Sequence, residues 1–561
     1  MKRLVKVSLI LSCMALVLSS CNCYKKMLKK VDTVQTSCTP AVLSLKGSTV
    51  TADIKVTFPP KYFDEVAVLK VTPVLVFEGG EIAGTPKFVQ GENVKDNYTV
   101  IPWKTGGSYT QTVTFPYDPK ARLSTLELRM ESKCSNKCSK KYREFIPFAA
   151  MPVAQGISTV QNDANQTSYL VYMPDNFKKV TTISQDAEIL YQINKANVRK
   201  NQLTTDQIKM LNDFVKENAD KEKVTLGNIA AKGYASPDGP VKFNDELSKK
   251  RSETGKEAYS KQLGMDAKYD IAAYGEDWDG FKELVEKSDI KDKELILQVL
   301  QMYSSPVKRD EEIKNMSSVF KVLAEEILPQ LRRTKLVATA DVQSKTDAEL
   351  KAAVDQNVNS LDLEEMMYAA TLYKKNSEKA MIYEAAAKKY NDARAYNNLG
   401  VALAKQGKLD QAKKALDQAA KLQSAPEISN NLGVVALAQG NVAEAKKYLS
   451  SLNTKDAKRN MALVELAEGN YSEAAKGLSG YNLAVAEVAN GNLAKAKTAL
   501  AKEKSADADY LRAVIAMREG DSKAAIANLK SAFSKKKSLK EKAKTDVEFA
   551  KLFGTTEFLA L

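Results

Sequence analysis

The hydrophobic positions of this chain follow two different periods, and the change of period separates its regions. Between residues 36 and 150 apolar and polar residues alternate, as they do in residues 49–58, and this alternation predicts half-buried strands. Pro-Pro and Gly-Gly pairs separate the apolar runs and predict turns between short strands. Residues 36–150 are therefore predicted to form an all-β sandwich. The apolar positions of residues 49–58 are Val50, Ala52, Ile54, Val56 and Phe58.

A region with mixed periods follows. Residues 151–179 are polar and predict a linker, after which residues 180–345 contain both strand and helix patterns. Apolar residues recur with helical spacing over residues 208–215, behind a threonine N-cap at Thr204 or Thr205. The strands predicted in this region are residues 188–193, 224–234, 269–274 and 331–337, and the later helices are residues 292–303 and 310–328.

After residue 345 one spacing recurs: a Gly, an Ala five residues later and a Leu four residues after that. The turn glycines are separated by 33, 29, 22 and 29 residues, and a period near 33 with this Gly and Ala usage resembles the tetratricopeptide repeat. The resemblance implies an all-α solenoid over residues 346–561, with shortened later units, a C-terminal cap at residues 547–561 and a concave surface for a protein partner. The five glycines are Gly407, Gly440, Gly469, Gly491 and Gly520.

The middle of the chain combines a polar turn with a helical arginine. The sequence Gly-Tyr-Ala-Ser-Pro-Asp-Gly occupies residues 233–239, and its Pro and Gly predict a turn after a strand. A helix is predicted next, with Asn244 as its N-cap and Arg251 about two turns along it. A polar turn that faces an arginine suits a carboxylate ligand. From spacing alone, an ordinary strand–turn–helix connection with a surface arginine is the more frequent arrangement.

The pattern Gly-Tyr-x4-Gly, followed by Asn-x2-Leu-Ser-x2-Arg, resembles the central motif of the OmpA-like C-terminal domain, a peptidoglycan-associating module. In that family an Asp in the turn and an Arg in the helix hold the diaminopimelate of the peptide stem. The resemblance implies an α+β domain over residues 180–345 that binds the peptidoglycan peptide stem through Arg251, with Asn244 matching a motif position before it. The Asp of the family falls on Ser236 here, and Asp238 is the candidate to replace it.

The N-terminus resembles that of an exported lipoprotein. A basic start precedes the apolar run 7–18, which is too short to span a bilayer and predicts a signal peptide over residues 1–20. Leu-Ser-Ser-Cys at residues 18–21 resembles a bacterial lipobox, which implies cleavage before Cys21, acylation of Cys21 and attachment to a membrane surface. The alternative is ordinary signal cleavage near Ser20, with Cys21 or Cys23 free for disulfides.

Residues 21–35 are predicted to be a basic tether, because four lysines precede the first acidic residue, Asp32. Surface lipoproteins of Bacteroidetes, which this chain resembles elsewhere, usually carry an acidic run at this place. The basic run therefore predicts an outer-membrane protein that faces the periplasm, with cell-surface display as the alternative. The lysines are Lys25, Lys26, Lys29 and Lys30.

Four cysteines remain downstream of Cys21, and an exported protein meets an oxidising compartment. Cys134 and Cys138 are close enough in sequence to pair, a Cys23–Cys38 bond is a second possibility, and reduced thiols are the alternative. A four-cysteine zinc site is not expected, because only one local pair exists and the chain contains no His.

Charge and composition narrow the function further. The 84 basic and 69 acidic residues give a net charge of +15, without the basic–aromatic interleaving of a nucleic-acid groove, so no nucleic acid is expected as a partner. With no His, no P-loop and no dinucleotide-binding glycine pattern, we predict no catalytic residue and no cofactor. The acidic turn between Gly275 and Gly280 could hold a metal or an acid pair, but a strand-to-helix turn is favoured.

Together these features predict a non-enzymatic outer-membrane lipoprotein. It would tether the membrane to peptidoglycan through the OmpA-like domain and scaffold an unidentified protein on its helical repeats. The alternative is a surface-exposed adhesion or fimbria-assembly lipoprotein whose OmpA-like domain no longer binds peptidoglycan, as Ser236 suggests. A length of 561 residues suits three or four domains.

Overall fold

The computed structural model describes residues 22–134 and 144–561, which belong to two compact units. The first unit combines the described residues up to 174 with residues 373–561, and the second unit consists of residues 175–372. Cys21 and Cys138 lie outside the described residues. Among the described residues, no helix is both long and apolar enough to cross a membrane.

The β-rich region of the first unit is a sandwich of two sheets, as the alternation predicts. One sheet has the strand order β10-β1-β2-β7, and the other has the order β6-β5-β3-β8-β9 with β4 paired to β3. Inward-facing side chains of both sheets, such as Val56 and Leu69, share one hydrophobic core. The strands are β1 (Gln35–Lys46), β2 (Thr49–Phe58), β3 (Ala67–Phe77), β4 (Gly80–Ala83), β5 (Lys87–Gln90), β6 (Thr99–Val100), β7 (Gly107–Pro116), β8 (Thr125–Cys134), β9 (Ile146–Gln155) and β10 (Ile157–Ser158).

The N-terminal segment packs on this sandwich, so the prediction of a basic tether is wrong for its described part. Helix α1 spans Asn22–Lys29 and buries Cys23 and Met27, which lie four residues apart on one face. Cys23 forms a disulfide with Cys134. The predicted Cys134–Cys138 and Cys23–Cys38 bonds are therefore also wrong, because sequence distance says nothing about which strand α1 reaches; Cys38 is a free, half-buried thiol.

The predicted linker at residues 151–179 is also largely ordered structure. Its first residues complete β9, and β10 pairs in parallel with β1. A 3₁₀ turn at Val160–Asp163 follows, and residues 164–174 lie against the helical array described below. Two of the polar residues that suggested a linker have partners in the array: Asp163 pairs with Lys542, and the backbone of Asn165 exchanges hydrogen bonds with Asn482.

The second unit is an α+β structure. Its sheet has the strand order β11-β15-β13-β14, with β12 also paired to β15; β13 and β14 are parallel and the other neighbours antiparallel. Helices α2 and α3 pack on the sheet. The strands are β11 (Val180–Leu190), β12 (Val224–Leu226), β13 (Ile229–Ala235), β14 (Tyr269–Glu276) and β15 (Arg333–Gln343). The helices are α2 (Asp206–Ala219), α3 (Val241–Leu263), α4 (Trp278–Lys287), α5 (Lys293–Met302), α6 (Pro306–Asn315), α7 (Ser317–Glu326), α8 (Leu328–Leu331), α9 (Asp347–Asn357) and α10 (Leu363–Thr371).

Helices α9 and α10 belong to this second unit, although residues 346–372 were predicted to open the repeat array. The Phe177 ring stacks on Tyr368 of α10 with centroids 4.6 Å apart. Lys345 Nζ pairs with Glu365 Oε1 of the same helix at 2.8 Å. Phe177 precedes β11 and Lys345 follows β15, so α10 contacts the chain at both ends of the α+β domain. The helical period alone does not reveal these contacts.

The rest of the first unit is a stack of antiparallel helix pairs. The five predicted turn glycines lie between paired helices with φ from 75° to 87°, and the five alanines that follow them are fully buried. The predicted shortening is confirmed, since α17 has 7 residues where α13 has 14. The helices are α11 (Asn376–Tyr390), α12 (Ala393–Ala404), α13 (Leu409–Leu422), α14 (Pro426–Ala438), α15 (Val442–Leu449), α16 (Lys455–Glu468), α17 (Tyr471–Gly477), α18 (Gly480–Ala489), α19 (Leu493–Leu500), α20 (Ala506–Glu519), α21 (Ser522–Lys535), α22 (Ser538–Ala543) and α23 (Thr556–Leu559).

Candidate functional site

The turn–helix motif of the second unit brings its four predicted site residues together. Strand β13 ends at Ala235, the turn covers residues 236–240, and α3 begins at Val241, so Asn244 lies in the first helical turn rather than at the N-cap. Asn244 is buried, and its Nδ2 donates to Ser236 O at 3.2 Å and to Glu276 Oε1 at 3.0 Å. The amide therefore holds the turn against the end of β14.

Asp238 supplies the carboxylate of this turn, but that carboxylate already has a partner. The Ser236 hydroxyl donates to Asp238 Oδ1 at 2.6 Å. Arg332 donates through Nε to Ser236 Oγ at 3.2 Å and through Nη2 to Asp238 Oδ2 at 3.1 Å. Arg332 was not predicted as a site residue, although its place in an Arg-Arg pair at the start of β15 is visible in the sequence.

Arg251 holds the backbone around the motif. Its side chain is buried, and Nε, Nη1 and Nη2 donate to Lys195 O (3.1 Å), Tyr234 O (2.9 Å) and Gln192 O (3.3 Å). The guanidinium also lies over the Tyr191 ring. Burial lowers the pKa of Arg251 to about 10, so the group is still protonated at neutral pH. Contact between Arg251 and peptidoglycan stays a prediction.

The acidic turn after β14 is a helix start. Asp277 accepts a hydrogen bond from Gly280 N at 2.9 Å and pairs with Arg333 Nη2 at 2.6 Å. This geometry agrees with the favoured strand-to-helix interpretation. In the described part of the chain, no three His, Cys, Asp or Glu side chains are grouped as metal ligands would be.

The first unit contains a second candidate site, a row of asparagines on the array that sequence analysis missed. They lie on the first helix of four successive pairs, nine or ten residues before the turn glycine, and all are buried. The sequence signal was the repeated Asn-Asn-Leu-Gly at residues 397–400 and 430–433. We call these six residues the asparagine ladder: Asn397, Asn398, Asn430, Asn431, Asn460 and Asn482.

The ladder binds the backbone of residues 164–174 of the same chain. Val171 N donates to Asn431 Oδ1 at 2.8 Å, and Asn431 Nδ2 donates to Val171 O at 2.7 Å. The same two-way contact joins Met173 to Asn398, at 2.7 and 3.0 Å. Carboxamide groups thus replace the neighbouring strand of a β-ladder.

The contacts continue along the array. Asn430 and Asn460 both donate to Tyr169 O at 3.1 Å, and Asn482 exchanges two hydrogen bonds with the backbone of Asn165. The asparagines also bond to each other, as Asn460 Nδ2 does to Asn430 Oδ1 at 2.8 Å. The ladder therefore lines a groove that contacts the backbone of residues 165–173 over four helix pairs. Residues 166–169 of the bound segment form a turn, and residues 170–174 belong to no helix or strand.

Two aromatic side chains of the bound segment lie under cations. Arg459 lies 5.2 Å from the Tyr169 ring centroid, and Lys405 and Lys379 lie 4.8 and 5.5 Å from that of Tyr172. Burial raises the pKa of Tyr172 to about 12, and burial together with Lys379 lowers the pKa of Lys405. These contacts add side-chain selectivity to the backbone contacts that the ladder makes.

Comparison with known proteins supports the repeat assignment. Residues 398–458 match the tetratricopeptide repeat family model. Among solved structures, a tetratricopeptide repeat protein from Parabacteroides merdae is 18% identical, with 36% of this chain and 90% of that chain covered and a TM-score of 0.30. The pilF protein of Pseudomonas aeruginosa is 18% identical (38% and 86% covered, TM-score 0.21), and yeast Tom70 is 14% identical (70% and 69%, TM-score 0.26). No curated protein matches the chain.

Proposed function

We propose that this protein is a non-enzymatic cell-envelope scaffold whose tetratricopeptide array holds an extended segment of a protein partner. The asparagine ladder carries this proposal, because its carboxamides satisfy peptide N–H and C=O groups at every second residue of an extended chain. Backbone recognition of this kind supplies affinity, and the cationic positions beside Tyr169 and Tyr172 supply selectivity.

The proposal places the protein at the outer membrane, facing the periplasm, with Cys21 as the lipid anchor. Support comes from the lipobox-like residues 18–21 and from the Cys23–Cys134 disulfide, which suits an exported protein. Cys23, the first cysteine of this disulfide, lies two residues after the proposed anchor Cys21. The disulfide would therefore fix the sandwich close to the membrane surface.

The second unit is proposed to contact the peptidoglycan peptide stem at the turn 236–240, as the OmpA-like resemblance implies. Asp238 in this turn and Arg332, which pairs with it, retain some side-chain exposure, at 16% and 11%. One carboxylate and one guanidinium suit the ammonium and carboxylate groups of diaminopimelate. In this arrangement Arg251 and Asn244 position the turn, and Asp238 and Arg332 meet the stem.

Three observations on the motif residues favour a second candidate function, a surface adhesion or fimbria-assembly lipoprotein without peptidoglycan binding. Ser236 stands where the family has its Asp, Arg251 is bonded to three carbonyls, and Asp238 is paired with Arg332. A stem would have to break the Asp238–Arg332 pair. Peptidoglycan binding would therefore cost free energy here, because the Asp238 carboxylate is already paired.

Co-sedimentation of the full chain with purified peptidoglycan separates the two candidates. The tether predicts sedimentation that falls for Asp238→Asn and Arg332→Gln and is retained for the exposed control Lys250→Gln. If the unaltered chain stays in the supernatant, the second candidate is favoured, and protease shaving of intact cells should then cut the protein rapidly.

The scaffold role is tested by comparing proteins cross-linked to the chain in cells. The ladder variant Asn398→Ala/Asn431→Ala should lose partners that the wild type retains. The matched control is Asn470→Ala, an array asparagine whose amide binds Glu465. Identical partner sets for all three proteins would contradict a partner in the groove.

A further inference from the structure

The groove assigned above to a protein partner is filled by residues 164–174 of the same chain. Leu170 and Met173 are buried in the array core, and Tyr169 and Tyr172 occupy the cationic positions. We propose that this segment is an internal ligand that closes the groove, so that a partner segment binds only after the internal one leaves. The inference rests on the proposed use of the groove for a polypeptide.

The way in which the segment is held allows exchange. Residues 170–174 belong to no helix or strand, and their backbone contacts are made to side-chain carboxamides. These carboxamides lie on helices whose own backbone hydrogen bonds do not involve the segment. Departure of the segment would therefore leave the array helices intact, and another extended chain could make the same backbone contacts.

The internal ligand also fits imperfectly. Among the described residues, Tyr172 Oη and Asn460 Oδ1 are buried without a hydrogen-bond partner. A buried polar atom that lacks a partner lowers the stability of the bound state. A competing segment with an N–H near Asn460 and an unhydroxylated ring at the Tyr172 position would remove both defects.

These contacts define the class of partner. It is an extended, uncharged segment with aromatic residues three positions apart and an apolar residue after each aromatic position. Residues 164–174 have this composition and carry no charged side chain. The cations Arg459, Lys405 and Lys379 would oppose a lysine or arginine at either aromatic position.

The test uses the full chain and a fluorescein-labelled synthetic peptide with the sequence of residues 164–174, followed by fluorescence anisotropy. The variant Val171→Pro/Met173→Pro removes the two N–H groups that donate to Asn431 and Asn398 while keeping an extended backbone. The matched control, Val171→Ala/Met173→Ala, shortens the same side chains but keeps both donors.

We expect the proline variant to bind the peptide at least about tenfold more tightly than the wild type, since two donors of the internal ligand are lost. The alanine control should bind it less tightly than the proline variant. Adding Asn398→Ala/Asn431→Ala to the proline variant should abolish binding. In the wild type, hydrogen exchange at the Val171 and Met173 amides should be slow, which tests closure without any substitution.

Two outcomes would overturn the proposal, and they differ in what they imply for the proposed partner site. If the wild type binds the peptide as tightly as the proline variant and the two amides exchange fast, the segment does not close the groove, although a groove partner is still possible. If the peptide binds to no form of the chain, the ladder holds its segment only in cis, and the proposed partner site fails with the inference.

Discussion

At the scale of single residues, buried polar side chains distinguish this protein. Arg251 and the ladder asparagines are almost fully inaccessible, and each is bonded to backbone groups. Arg251 was predicted as a site residue because it matches a motif. In the structure its guanidinium donates to three backbone carbonyls of the second unit. The ladder was missed because an asparagine in a helix has no preferred partner that can be identified before the fold is known.

The substitution Arg251→Met should destabilise the second unit by about 3 kcal/mol, because a buried guanidinium that donates to three backbone carbonyls would be lost. The measurement is urea unfolding followed by Trp278 fluorescence in a Trp103→Phe background. The neighbouring exposed control Lys250→Met should change the free energy of unfolding by less than about 0.5 kcal/mol. An unfolding midpoint for Arg251→Met equal to that of the control would contradict the structural role.

Tyr172 offers a residue-scale test of groove occupancy. The substitution Tyr172→Phe removes a buried hydroxyl that has no hydrogen-bond partner among the described residues, so the stability of the first unit should stay unchanged or rise. Tyr172→Leu should cost about 1 kcal/mol, because the ring under Lys405 and Lys379 is lost. Thermal unfolding by circular dichroism compares the two; equal losses for both would show that the ring is not seated in the groove.

At the scale of elements, periodic patterns were predictable and pairings between distant segments were not. The strand over residues 49–58 and the turn glycines of the array follow from local spacing, since each pattern is imposed by one buried face. The Cys23–Cys134 bond, the packing of α1 and the place of residues 164–174 depend on partners more than 100 residues away. The basic composition of residues 21–35 and the polar composition of residues 151–179 led instead to the predictions of a tether and a linker.

The helix pairs of the array are held together by close contacts at small residues. A Cβ added to Gly433 in α14 would lie 2.7 Å from Leu449 Cγ in α15, closer than the two atoms can pack. Gly433→Val should therefore destabilise the first unit by about 2 kcal/mol. The control Ala420→Val, on an exposed position of α13, should cost less than about 0.7 kcal/mol in denaturant unfolding. Equal costs would show that the α14–α15 contact tolerates the extra volume.

At the scale of the whole molecule, chain order and structural unit differ. The β-sandwich and the helical array belong to one unit although the entire second unit lies between them in sequence. Gln161 Nε2 donates to Leu45 O at 2.9 Å, and Tyr471 donates to the same carbonyl. Arg518 Nε donates to Glu548 Oε2 at 3.0 Å, and Ser158 donates to that carboxylate. Polar contacts thus join strands β1 and β10 to the array.

These contacts predict that the sandwich and the array unfold together. In a Trp278→Phe background the remaining tryptophan, Trp103, reports on the sandwich, while far-ultraviolet circular dichroism reports mainly on helices. Gly433→Val, which lies in the array, should shift the Trp103 unfolding midpoint in urea by the same amount as the helical signal, because a cooperative unit loses stability as a whole. A Trp103 midpoint that stays in place while the helical midpoint falls would mean that the sandwich folds by itself. The ladder and residues 164–174 would then form a contact between a sandwich and an array that are each stable alone. Loss of residues 164–174 from the groove would leave both parts folded.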